Sequence, residues 1–255
     1  MKTLVMGLVA MMMSCAEMTK KDSKGNQTNG PVVTRNISVD KPFTGIVING
    51  SATVSYTQKP GTAVVVEADS AQFSRLEITV KDGCLVIGTK ATVNVFSWFA
   101  DGGDGDVKVR VSSPDLTAVI VKGSGEFTAG GRIDTDHLEL AVNGSGSVNF
   151  PHGAICDRIK AKVVGSGDIV ANGVDALEAD LKVTGSGDMN IVLQNARQTS
   201  ASITGSGDLN LTCRRCQRVD ASVTGSGDLT IGGTVREVNR KTVGSGDIEC
   251  TVTRW

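Results

Sequence analysis

The sequence predicts an all-β protein, a right-handed parallel β-helix wound in coils of about 20 residues. Two observations predict it. The tripeptide Gly-Ser-Gly begins at Gly123, Gly144, Gly165, Gly185, Gly205, Gly225 and Gly244, at intervals of 19 to 21 residues. Around each copy, apolar residues fall at every second position and in the same register from copy to copy. That alternation marks strands with one buried face. Parallel strands need right-handed connections, which sets the expected hand.

Taken in chain order, residues 1–14 read as a lipoprotein signal peptide. Lys2 supplies the positive charge, and Thr3–Met13 is an apolar stretch too short to span a bilayer. Ser14 then precedes Cys15, the residue expected to carry the lipid. Residues 15–33 are polar and Gly-containing, with too little apolar surface to fold, and read as a flexible tether. Residues 34–255 form the expected β-helical domain, divided into N-terminal strands (34–120) and regular coils (121–255). The formal net charge of −1 and the lack of a long basic run argue against nucleic acid as a partner.

In the N-terminal half, short runs such as Ile46–Ile48, Thr53–Tyr56, Ala63–Glu67, Leu76–Val80, Leu85–Ile87, Val107–Val111 and Ala118–Val121 read as strands. Asp82-Gly83 is a hairpin signal, so part of the pairing should be antiparallel. Ile48-Asn49-Gly50-Ser51 looks like a degenerate corner. These strands should continue the solenoid or cap its N-terminal edge.

In the coils, the fourth position after each leading Gly is Phe127, Val148, Ile169, Met189, Leu209, Leu229 and Ile248. The residues two before the later corners are Val142, Val163, Val183, Ile203 and Val223. Each coil therefore has a strand on either side of a glycine corner. After the last corner only a partial coil remains, over which Trp255 is expected to fold as a lid. Of the cysteines beyond Cys15, Cys156, Cys216 and Cys250 fall in apolar columns and read as buried small hydrophobes. Five is an odd number, so they cannot all pair. Cys213 reads as a turn residue, and Cys213-Arg214-Arg215-Cys216 is by itself a weak metal or redox signal.

The ordered set Phe43–Gly50, Val54–Gln58, Gly61, Val64–Asp69, Asp82-Gly83, Leu85–Ile87, Val107–Val111, Pro114–Leu116 and the GSGD-apolar corners resembles the auto-transporter adhesin head-domain family, also called the head GIN domain. The likeness covers about residues 34–255. It implies a β-helical, secreted or lipid-anchored envelope domain and assigns no functional residues. The chain departs from the pattern at Ala91–Asp106, and at Glu126 and Ser147, where the corner Asp is absent.

Two features are candidates for function. Asp168, Asp188, Asp208, Asp228 and Asp247 should form a surface column. The ordinary expectation is that each carboxylate accepts backbone N–H groups at the corner. The sharper alternative is Ca2+ held between successive carboxylates. The second feature is Phe96-Ser97-Trp98-Phe99 followed by Asp101, Asp104 and Asp106 in a Gly-rich loop. Aromatic rings beside carboxylates suit a sugar or protein ligand, and a hydrophobic plug with a hairpin tip is the plainer alternative. No catalytic residues and no obligatory cofactor are expected. The leading expectation is a non-catalytic outer-membrane lipoprotein, periplasmic or surface-exposed, presenting a rigid solenoid for adhesion or assembly. Its partners would be the membrane, through the lipid, and an envelope or surface glycan or protein. A carbohydrate-binding module is the second reading, and a polysaccharide-cleaving β-helix enzyme the third.

Overall fold

The structure, a computed structural model, describes residues 31–90 and 107–254. The signal peptide with Cys15, nearly all of the tether, the Phe96–Asp106 loop and Trp255 lie outside them. The described residues form a parallel β-solenoid with an antiparallel cap.

The strands of the first half are β1 (Val32–Ile37), β2 (Gly45–Gly50), β3 (Thr53–Gln58), β4 (Ala63–Asp69), β5 (Leu76–Lys81), β6 (Cys84–Thr89), β7 (Lys108–Ser113), β8 (Ala118–Gly123) and β9 (Glu126–Ala129). Order along the rod is not order along the chain. The β2–β3 coil lies between two later ones, because β2 pairs in parallel with both β6 and β8, and β3 with both β7 and β9. The chain thus lays down an inner coil, then β6–β7 on its outer side, then β8–β9 on its inner side. Antiparallel strands close the outer end: β4 on β7, β1 on β4, and β5 on β6. The β5–β6 hairpin turns at Asp82 and Gly83, both with positive φ (51° and 75°), as a two-residue turn of this type requires. Gly50 stacks on Gly123 with φ of 116°, so the degenerate corner is a true one.

Two elements depart from the sequence expectation. β1 starts at Val32, two residues before the expected domain boundary. A short helix, α1 (Ser70–Arg75), joins β4 to β5, with the Asp69 carboxylate accepting the Gln72 N–H at 2.7 Å. None of its residues is buried, so no apolar period announces it.

The coils comprise β10 (Ile133–Asp134), β11 (His137–Gly144), β12 (Ser147–Phe150), β13 (Ala154–Gly165), β14 (Asp168–Gly185), β15 (Met189–Gln194), β16 (Gln198–Gly205), β17 (Leu209–Gly225), β18 (Leu229–Gly244) and β19 (Ile248–Thr253). All of these pair in parallel, Gly on Gly at the corners. The inward columns are those the alternation specifies. Ile191 and Leu211 are strand partners, both buried, while Thr204 and Thr224 face out. Leu211→Ala should therefore cost about 2–5 kcal/mol. Thr224→Ala should stay within about 0.5 kcal/mol. Equal losses in denaturant titrations would contradict this register.

Each coil turns more often than two strands and one glycine corner imply. The in–out alternation breaks at Arg214-Arg215 and at Gln217-Arg218, where two successive residues face solvent around the inward Cys216. The extra bend needs positive φ, taken by Asn195 and Arg215 (60° and 61°) and by Gly173 and Gly233 in neighbouring coils. Cys213 opens this bend with its side chain buried in the core. Cys156 and Cys216 are buried as expected, whereas Cys250 in the last coil is only partly covered.

Candidate functional site

The corner column is built from stacked backbone. Each leading Gly has φ between 118° and 135° in the seven corners. The carbonyls of Gly123, Gly165, Gly185, Gly205 and Gly225 each accept two N–H groups from the next coil: Gly185 O takes Ser206 N at 2.8 Å and Gly207 N at 3.0 Å. From Gly146 onward, a Cβ on the second Gly of each corner would fall on the carbonyl oxygen of the corner beneath. The intervening Ser is exposed, so the corner presents hydroxyls and carboxylates over a floor of bare main chain.

The aspartates have a defined task. The Asp168 Oδ1 accepts the N–H of Asp188 at 3.2 Å, Asp188 that of Asp208 at 3.0 Å, Asp208 that of Asp228 at 2.9 Å, and Asp228 that of Asp247 at 3.0 Å. The donor lies one coil further on, not in the same corner. Where the preceding corner has no Asp, the equivalent N–H bonds to main chain instead: Ser147 N to Gly125 O and Asp168 N to Gly146 O, both 3.0 Å. The carboxylate thus replaces a ladder bond and ties successive coils together. All four of these aspartates are exposed. Among the described residues, no group of three or more His, Cys, Asp and Glu side chains is placed to hold a metal ion.

The chemistry gives a direct test of the carboxylate role. Asp208→Asn retains an Oδ1 acceptor and should change stability by less than about 0.5 kcal/mol. Asp208→Ala removes it and should cost about 1 kcal/mol. Under this reading calcium leaves the melting temperature unchanged. A calcium-dependent rise that vanishes in Asp208→Asn would establish the cation-bridged alternative, because a ligand held only by the native state stabilises it.

Outside the corner, side chains also bond along columns. Asn210 donates to Asn190 at 3.0 Å and Asn195 to both oxygens of Asp175. Lys160 pairs with Glu139 at 3.2 Å, and Arg158 with Glu178. Hydrogen bonds from Arg218, then from Asn239, hold the Asp220 carboxyl below its usual range.

Asn195, Arg215, Gln217 and Thr234 line a shallow open groove at the second bend. Arg197, Gln217 and Arg236 hold the same register position in successive coils, and Arg214 precedes Arg215 on β17. Arg197, Gln217 and Arg236 are about 20 residues apart along the chain and become neighbours only through the pairing of successive coils.

With that geometry in place, the relatives become informative. The family described as "Putative auto-transporter adhesin, head GIN domain" matches residues 42–234 and, in a second match, 191–252. The chain belongs to this family. The two overlapping matches fit a repeat whose coils resemble one another. No curated protein matches the chain in sequence. Among solved structures, a putative adhesin from Bacteroides fragilis NCTC 9343 is 24% identical, with TM-score 0.75 over 89% of this chain and 100% of its own. A putative lipid binding protein from Parabacteroides distasonis ATCC 8503 is 22% identical, with TM-score 0.72 over 88% of this chain and 98% of its own. A putative adhesin from Parabacteroides merdae ATCC 43184 is 21% identical, with TM-score 0.71 over 87% of this chain and 97% of its own. At these identities the likeness establishes the family's solenoid fold.

The structure brings the five column aspartates together as expected. Phe96, Trp98, Phe99, Asp101, Asp104 and Asp106 lie outside the described residues, in the stretch of sequence between β6 and β7. Among the described residues, no helix is long and apolar enough to cross a membrane.

Proposed function

We propose that this protein is a non-catalytic adhesin-type scaffold of the cell envelope, anchored through lipid on Cys15 and presenting its solenoid to a glycan or protein partner. The observation that carries the reading is the cross-coil bonding of exposed side chains. Asn210 on Asn190, Asn195 on Asp175, Asn239 on Asp220 and Lys160 on Glu139 hold the outward face in fixed positions. A polar surface ordered beforehand loses little entropy when a partner docks, which is how flat, pocket-poor surfaces gain affinity. The strands leave little room for long loops around the coils, and adhesion needs none. Family membership supports the same assignment.

The anchor and the adhesive role are tested separately. Cells expressing the full chain should incorporate a labelled fatty acid into it, and Cys15→Ala should abolish both label and membrane retention. Equal labelling of the variant would refute the anchor. A soluble domain beginning after the tether should bind a discrete set of glycans on an array, or a discrete envelope protein by cross-linking. Binding to neither would sink the adhesive reading while leaving the anchor untouched.

A further inference from the structure

Two thiols meet inside the coil that carries the clustered arginines. Cys213 and Cys216 both lie on β17, and both are buried in the main core. The chain bends between them: Arg214 and Arg215 face outward and Arg215 takes φ of 61°. The two cysteines are the first and last residues of that four-residue bend. The ladder slips here, so Cys213 and Cys216 stand opposite Gly233 and Val235, only two strand residues apart, which is about 7 Å, Cα to Cα. Disulfides span about 4.4–6.8 Å. The Cys216 Sγ lies 3.9 Å from the carbonyl oxygen of Leu193, and Leu193 is the strand partner of Cys213. The Cys216 sulfur therefore reaches back across the bend toward Cys213.

Interaction between the two thiols holds Cys216 below the ordinary thiol range and, together with burial, pushes Cys213 far above it. Cys156 is the contrast: a buried thiol without such a partner, pushed up to about 12 mainly by burial. In the preceding coil the two positions are filled by Leu193 and Ala196, so nothing in the fold demands sulfur there.

We infer that Cys213 and Cys216 form a disulfide across this bend, closed before the coils on either side bury it. The reaction needs an exogenous disulfide RSSR as oxidant. The Cys216 thiolate attacks one sulfur of RSSR, forms a mixed disulfide and expels RS−. The Cys213 thiolate then attacks the Cys216 sulfur and expels the second RS−. Two protein thiols are oxidised, and one RSSR is reduced to two RSH once the released thiolates take up the two protons. Cys213 and Cys216 are about 1% and 0% exposed in the folded chain, so the finished bond is shielded from exchange and acts as a fixed brace rather than a cycling redox centre. The inference stands independently of the adhesive reading.

The experiment is to unfold the full chain in reductant, refold it with either oxidised glutathione or dithiothreitol, and alkylate it in denaturant before peptide mapping. The oxidised sample should yield a linked, unalkylated Cys213–Cys216 peptide. Alkylation of both residues in that sample would overturn the proposal. A second arm measures stability. The oxidised wild type should melt about 5 °C above the reduced form. Cys213→Leu with Cys216→Ala copies the preceding coil and should show no difference between the two refolding conditions. The same difference in the double variant would place the effect elsewhere and refute the brace.

Discussion

Gly207→Ala should destabilise the domain by about 4 kcal/mol or more, among the largest effects available to a single methyl group. The cause is backbone stacking. A Cβ at residue 207 would fall on the Gly187 carbonyl oxygen, with Gly187 N and Ser186 C at 3.0 Å behind it. None of these is the end of a flexible side chain, so the coils must separate to admit it. Separation lengthens the paired bonds from Ser206 N and Gly207 N to Gly185 O. The strain then passes to Gly227, whose own close approach is to the Gly207 carbonyl. Two controls isolate the mechanism. Ser206→Ala, one residue away and exposed, should change stability by less than about 0.5 kcal/mol. Gly131→Ala, where a new Cβ meets nothing within 4 Å, should be equally mild. Denaturant titration of the three variants measures all of this. A Gly207→Ala loss no larger than that of Gly131→Ala would show that the corners are looser than the stacking implies.

The same stacking explains what could be read in advance. A corner that takes Gly at two positions, repeated in the seven coils from Gly123 on, writes itself into the sequence as Gly-Ser-Gly. The columns Val163–Val183–Ile203–Val223 and Ile169–Met189–Leu209–Leu229 follow, because each position faces the same interior. The second bend obeys no such rule. Its positive-φ residue is Gly in some coils, Asn195 or Arg215 in others, and its offset shifts where the ladder slips between Cys213 and Cys216. A conformation met by several residue types at a drifting position leaves no period to detect. The threading of the N-terminal half is hidden for another reason. β2 is sandwiched by β6 and β8, and alternation within a strand says which face is buried but not which neighbours flank it. Of the candidate site, the aspartate column was legible as a column. The donor was not, because the N–H that each carboxylate accepts belongs to the next repeat, where sequence distance gives no hint of contact.

The uneven legibility has a functional side. Corner positions are dictated by the backbone and are nearly the same in every coil. The bend near Asn195 and Arg215 is free to vary, and there the chain places its clustered arginines and its groove. On a solenoid, specificity belongs at positions the fold does not dictate, so the bend face is the better place to seek partner contacts than the glycine corner.

Phe127→Ala should be the second large effect, about 3–5 kcal/mol. Phe127 is fully buried between Tyr56 and Phe150, with ring centroids 6.2 and 5.6 Å away. It sits on β9, which pairs with β3 on one side and β12 on the other. The ring therefore joins the capped N-terminal coils to the regular coils beyond. Below it, Tyr56 is fixed: its Oη lies 3.1 Å from the Ser113 carbonyl oxygen and 3.0 Å from Ser113 Oγ. Because Tyr56 is anchored, it cannot slide into the space that Phe127 leaves, and the cavity should persist. Solenoid stability is close to a sum of coil and nearest-neighbour terms. Losing one interface should therefore do more than lower the total. Wild type is expected to unfold in a single transition. Phe127→Ala should unfold in two, with amides of β11–β18 keeping their hydrogen-exchange protection after those of β2–β7 have lost theirs. Phe127→Leu, which leaves most of the volume filled, should shift the midpoint modestly and keep one transition. If Phe127→Ala instead unfolds in one step, with protection falling equally on both sides, the coupling between the halves rests on the strand ladder and not on this aromatic stack.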